Sequence, residues 1–313
     1  MSRQVEIIEV NEITCNKFSE LSAQRKPLVL RGLDIGSCTS RWTPDYLIDT
    51  YGKVESTVQV SSSSRMNFVQ KNFIYKKMLF GELIQNASST KPDAGDCHQF
   101  LYFRSLGEDV RKDVSNFHKQ FPLLAADVSI PNVFQEQDYF SSVFRLASKG
   151  TQLWTHYDVM DNILLQIVGD KKIYLYPPSD ALNLYLKGDK STVMDVENPN
   201  LEEFPNFALV HSYECILKPG DVLFIPALWF HNVTSLDFGV AINVFWKNLS
   251  SDLYDKRDIY GNKDLVPAAR GMDVLNRALG MLKTLPTDYK DFYGRMMIKR
   301  IEDKLLISQD DHD

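Results

Sequence analysis

Between residues 139 and 246 apolar and polar positions alternate in short runs. YFSSVFRLA, NILLQIVG, KKIYLYPP, YECILKPGDVLFIP, WFHNVTS and GVAINVFWKN follow one another, parted by Gly, Pro and Asp. Short β-branched and aromatic runs spaced by turn residues predict an antiparallel barrel or a jelly roll. Upstream, RKPLVLRG predicts a strand entered from Pro27 and ended by Gly32. RWTPDYLIDT predicts a helix opened by Thr43 and Pro44. Further strands are expected over 54–60, 72–79 and 99–104, a short helix over 82–87 and a polar loop over 88–97. After residue 264 the period changes. Leu275, Leu279 and Leu282 recur at helical spacing, and Pro286 opens a second segment carrying Tyr289, Phe292, Met296 and Leu305. The apolar faces of two such helices need a partner, either the β core or a second copy of the chain. The expected organisation is mainly β with helical additions: N-terminal α/β elements over 1–98, a β core over 99–250 and a helical region over 264–307.

Composition narrows the class without naming it. A chain of 313 residues with 44% hydrophobic and 24% charged residues suits an ordinary globular protein. Its net charge of −6 argues against a bulk nucleic-acid binder, although a local basic patch is compatible with it. Cys15, Cys38, Cys97 and Cys215 form no CxxC pair, which speaks against a zinc cluster or a redox dithiol. No apolar run reaches membrane-spanning length, and the N-terminus lacks a signal-peptide pattern. The expectation is a soluble intracellular protein with no membrane partner.

The chemistry concentrates in two segments. Thr155-His156-Tyr157-Asp158 contains H-x-D; on a strand, residues two apart share a face and so present a nitrogen and an oxygen to one ion. Downstream, KPGDVLFIPALWFHNV ends a buried strand at Pro226 and starts another through Trp229, carrying His231. Two histidines and a carboxylate form the donor set of a facial triad, which leaves coordination positions open. Fe(II) suits that set, and zinc accepts it as well; spacing does not separate the two metals. A dicarboxylate cosubstrate would need a buried cation, and of the adjacent Lys171 and Lys172 only one faces inward on a strand. Asn162 shares a strand face with Leu164 and Gln166, which suggests a polar interior.

H-x-D followed by P-G-D-x-x-x-x-P-x-x-W-x-H-x-V resembles the JmjC-type Fe(II)/2-oxoglutarate oxygenases, over roughly residues 25–250. The resemblance implies a double-stranded β-helix of the jelly-roll, cupin-like kind and a metal set of His156, Asp158 and His231. It implies a 2-oxoglutarate site at Tyr102, Asn162 and Lys171, with Asn243 a weaker member. One departure is Leu153, where some members carry a threonine that touches the cosubstrate. RKPLVLRG, YFRSLGED, QLWTHYDVMDN, LYLKGDKS and FYGRMMIKRIEDK extend the likeness to the branch of the family that hydroxylates a wybutosine intermediate at position 37 of tRNA(Phe), on its aminocarboxypropyl side chain. That branch implies Fe(II), 2-oxoglutarate and O2 as the reacting set, tRNA(Phe) as partner, and a homodimer through the C-terminal helices. Arg104, Arg145 and Lys149 are the first candidates for tRNA contacts, since phosphates demand Lys and Arg. A protein side-chain hydroxylase and a catalytically silent β-barrel binding module are the alternatives.

Overall fold

A computed structural model describes residues 2–89 and 99–305. The loop expected over 88–97 lies outside the described residues from 90 onward, as does Cys97. The chain divides into two compact units, the first of Met1–Ser251 with Lys256–Lys263, the second of Asp252–Asp255 with Asp264 onward.

Two main sheets and a two-stranded ribbon, Leu186–Lys187 with Lys190–Ser191, make up the first unit's described strands. The large one has nine strands, in spatial order Glu6–Glu9, Leu28–Arg31, Val222–Ile225, Asp161–Val168, Gly239–Trp246, Tyr139–Ala147, Phe100–Arg104, Glu55–Ser61 and Ile74–Leu79. The smaller runs Arg3–Gln4, Tyr213–Leu217, Lys171–Tyr176 and Phe230–Ser235. No strand is shared between them, so the arrangement is an open two-sheet jelly roll rather than a closed barrel. Pairing is almost wholly antiparallel, as the hairpin-rich sequence predicts; the first two strands of each edge pair in parallel.

Period-two alternation sorts the large sheet into two faces. Ile163, Leu165 and Ile167, Ile242 and Val244, Phe144 and Leu146, and Leu101 and Phe103 all join one apolar cluster. Helices cover that face with Trp42, Leu47, Phe80, Leu83, Ile84, Phe117, Phe121 and Leu124. Thr43 caps its helix, accepting from the Tyr46 amide at 3.2 Å, with Pro44 in the first turn as expected. The opposite face meets the small sheet through Leu164, Ile173, Leu175, Leu217, Leu223, Ile225 and Trp229. It also carries the polar positions that build the site.

The second unit holds helices Val266–Leu282 and Thr287–Leu305. Neither buries a residue, and Met272, Leu279, Met281, Phe292, Met296 and Ile298 are exposed. Among the described residues, no helix is long and apolar enough to cross a membrane.

Candidate metal centre and adjoining cavities

His156, Asp158 and His231 converge, each offering a donor atom within 4.8 Å of the others. The H-x-D segment is not a regular strand, contrary to the simplest reading of its spacing. It is an extended stretch held by isolated bridges, His156 to Lys190 on one side and to His231 on the other. The two histidines bond reciprocally through the backbone, His231 N to His156 O at 2.8 Å and His156 N to His231 O at 3.2 Å. Their rings lie 4.3 Å apart between centroids, and His231 Nε2 stands 3.6 Å from Asp158 Oδ2.

Both rings are oriented by the same device. His156 Nδ1 lies 3.1 Å from the Trp154 carbonyl, and His231 Nδ1 lies 3.1 Å from that of Trp229. A carbonyl only accepts, so Nδ1 carries the proton and Nε2 keeps a lone pair for the ion. Burial pushes both imidazoles below their ordinary value, with His231 adding to the effect on His156. Burial also pushes the Asp158 carboxyl up. Three partly to fully buried donors that resist carrying charge alone are what a cation relieves, so the residues fit a divalent metal.

The loop that delivers His231 is pinned by two backbone amides and an indole N–H. Leu228 N donates to Asp158 O at 2.8 Å, Ala227 N to Asp161 Oδ1 at 2.8 Å, and Trp229 Nε1 to Arg25 O at 2.8 Å. Leu228 holds a φ of +70°, a conformation rare for a non-glycine residue. That strain sits directly between two ligands, where surrounding bonds overdetermine the backbone.

Two cavities share His156, Tyr102, Arg145 and Leu153 in their walls. The inner one has about 30 Å³ of free space and is lined by Thr151, Leu164, Lys171, Ile225, His231, Val233, Ser235 and Asn243 as well. Lys171 is only 4% exposed, and burial, with Arg145 nearby, pushes its ammonium down to about 7. Lys172, one residue on, turns outward and pairs with Glu197 at 2.6 Å. The turn that sets this register passes through Gly169 at φ +71°, where a Cβ would meet Phe238 O at 2.2 Å. Asn243 lines the cavity; Asn162 lies behind it, accepting from Asn243 Nδ2 at 3.0 Å. Gln166, on the same strand face, is turned to the Val168 and Gly169 carbonyls instead.

The outer cavity has about 400 Å³ and reaches the surface past Phe68, Tyr75 and Tyr260, each 40% exposed or more. Phe68 packs on Trp154 at 5.1 Å, and Lys190 Nζ sits 4.6 Å over the Phe68 ring. Arg104 and Arg145 line the wall, together with Thr57 and Gln59. Lys149 lines neither cavity; it sits on the surface, 3.6 Å from Asp237. Thr57 and Gln59 were not expected from the sequence. Their signal was present, since they alternate with the buried Val58 and Val60.

A family profile described as "Cupin-like domain" matches residues 15–252. The chain is 52% identical over 290 residues to the Homo sapiens protein named tRNA wybutosine-synthesizing protein 5, covering 92% of each. It is 48% identical over 307 residues to the Gallus gallus protein of the same name, covering 96% of this chain and 95% of that one. The Gibberella zeae protein named tRNA wybutosine-synthesizing protein 4 is 34% identical over 297 residues, which span 92% of this chain and 28% of the fungal one. With this fold and these matches, the chain belongs to the cupin-like, JmjC-type family, alongside the vertebrate proteins named tRNA wybutosine-synthesizing protein 5.

Proposed function

We propose that this chain is an Fe(II)/2-oxoglutarate-dependent dioxygenase that hydroxylates the aminocarboxypropyl side chain of a wybutosine intermediate at position 37 of tRNA(Phe). The observation that carries the chemistry is the convergent triad of His156, Asp158 and His231 beside a chamber holding a buried lysine with no ion-pair partner among the described residues. The names of the relatives support the substrate.

His156 Nε2, Asp158 and His231 Nε2 would hold the metal. Bound there, Fe(II) with 2-oxoglutarate and O2 supplies the oxidation that turns a substrate C–H into C–OH as 2-oxoglutarate becomes succinate and CO2. Lys171 faces the distal carboxylate, which needs a cation once stripped of water. The Tyr102 hydroxyl, fixed by a hydrogen bond from Arg145, stands in the same wall. Asn243, held by Asn162, offers a further polar contact. Leu153, Leu164, Ile225 and Val233 keep water away from the reacting centre. The exposed rings of Phe68, Tyr75 and Tyr260 suit stacking of a base turned out of the anticodon loop. Lys149 remains a candidate phosphate contact outside the cavity. Association of two copies through Val266–Leu282 and Thr287–Leu305 is supported by the exposed apolar residues of both helices. Sedimentation equilibrium giving a monomer mass at micromolar concentration would remove the dimer.

The iron-loaded protein is expected to convert 2-oxoglutarate to succinate and to add one oxygen to the residue-37 nucleoside of tRNA(Phe), read by mass spectrometry. His156→Ala is expected to reduce both to background. Turnover unaffected by that change would refute the triad, and tRNA left unmodified alongside normal succinate formation would refute the substrate.

A further inference from the structure

Arg104 and Arg145 stand directly opposite each other in the antiparallel pairing of Phe100–Arg104 with Tyr139–Ala147. Like charges directly opposite on one sheet face repel. Their strand neighbours Phe103, Phe144 and Leu146 turn to the helix-covered side, so both guanidinium groups project into the outer cavity. Among the described residues no ion pair relieves them. The two carboxylates lining that cavity are otherwise engaged: Asp158 in the triad, and Asp189 with Lys190 Nζ at 2.5 and 2.6 Å. Among the described residues the Arg145 side chain donates only to the Tyr102 hydroxyl, and Arg104 faces the Tyr260 ring at 5.4 Å. The Nε of each is buried without a hydrogen-bond partner. Two enclosed, unpaired guanidinium groups are costly unless a ligand completes them.

We infer that the Arg104–Arg145 pair is the receptor for a carboxylate carried on the substrate's own side chain, and that it selects the free acid over the ester. The inference rests on the proposed function and deepens it. The fork of donors on each guanidinium matches a planar carboxylate, and the pair shares its cavity with His156 and Asp158. An amino-acid side chain gripped there presents its neighbouring carbons to the metal position. The 2-oxoglutarate carboxylate has a separate cation, Lys171, in the inner chamber, whose walls do not include Arg104. A backbone phosphate is the other anion that could reach the pair, and it is separable by experiment.

The test is a titration of the full-length, Fe(II)- and 2-oxoglutarate-loaded protein, without O2, with two forms of the tRNA(Phe) anticodon stem-loop. One carries the aminocarboxypropyl base at position 37 as free acid, the other as methyl ester. The wild type is expected to bind the acid at least about tenfold tighter, the scale of one charge-assisted pair. Arg104→Gln is expected to bind the two forms alike, and Arg104→Lys to restore part of the discrimination. The melting temperature of Arg104→Gln should equal or exceed that of the wild type, because a like-charge contact is removed; a purely structural arginine would lower it. Equal binding of acid and ester by the wild type overturns the inference alone. So does a variant that weakens both forms equally with a shallower salt dependence, which assigns the pair to phosphate. A wild type that binds neither form removes the tRNA reading and this inference with it.

Discussion

The two faces of the nine-stranded sheet are built from the same strands, yet they serve opposite ends. On the helix-covered face, Phe144 makes edge and tilted contacts with Trp42, Phe80, Phe103, Phe117 and Phe121, at centroid distances of 5.1 to 6.1 Å. The polar groups buried there are hydrogen-bonded, as Ser142 Oγ is to the Phe117 amide and Asp127 to Trp42 Nε1, and packing is dense. One residue along the same strand, Arg145 leaves a buried nitrogen unsatisfied, as does Arg104, and Gln59, Gln166 and Asn243 leave oxygens unsatisfied. Buried polar atoms without partners are rare in folded proteins, and each calls for an explanation. On the proposed function, their concentration on one face marks where stability is given up for ligand binding. Alternation of two therefore separates what holds the fold from what acts.

That contrast is most sharply broken at position 144. Phe144→Ala should cost about 3–5 kcal/mol of stability, the usual range for a buried aromatic lost from a dense core. The protein that remains folded should keep its affinity for 2-oxoglutarate, since the deleted ring points away from both cavities. Denaturant unfolding and a 2-oxoglutarate titration read the two quantities separately. A variant with near-normal stability, or with stability intact and affinity lost, would end the division between faces.

Lys171 is the opposite case. Lys171→Met should weaken 2-oxoglutarate binding by about 10- to 100-fold, the scale of a lost hydrogen bond to a charged partner. It should also raise the melting temperature near neutral pH, because a buried ammonium with no counter-ion is replaced by an apolar chain of similar length. A core residue loses stability and keeps binding; this one is expected to do the reverse. Binding unchanged in Lys171→Met would place the distal carboxylate elsewhere.

Much of this division was legible in the sequence. The alternation of SSVFRLA put Arg145 opposite Phe144 in facing, and the two halves of the triad stood out through Pro226, Trp229 and the H-x-D spacing. The adjacent Lys171 and Lys172 announced that one of them faces inward. What stayed hidden is pairing across long separations. Nothing local says that Arg104 lies opposite Arg145, or that Asn243 stands in front of Asn162, because register between distant strands is set by the assembled sheet. Gln166 shares a strand face with Asn162, but its Nε2 donates to the Val168 and Gly169 carbonyls and its Oε1 is left buried without a partner. The H-x-D segment looked like a strand, and it is held extended by isolated bridges and backbone hydrogen bonds to its neighbours.

The most graded expected effect is in pH. Lys171 has its ammonium pushed from an ordinary 10.5 down to about 7 by burial and by Arg145. The unfolded chain keeps that proton up to about 10.5, so between about 7 and 10.5 the unfolded state binds more protons than the folded one. The Lys171 contribution to stability is therefore unfavourable in full below about 7 and is relieved as pH rises through that window. Cosubstrate binding runs the other way. A bound carboxylate favours the charged amine, so above about 7 binding takes up a proton, and affinity should fall by up to about tenfold per pH unit. Affinity measured from pH 6 to 9 should be level below about 7 and decline above it, with the decline absent in Lys171→Met. A wild-type profile that stays flat to pH 9 would mean the ammonium is already held charged by a partner, and Lys171 would then belong with the satisfied residues of the fold rather than with the waiting ones of the site.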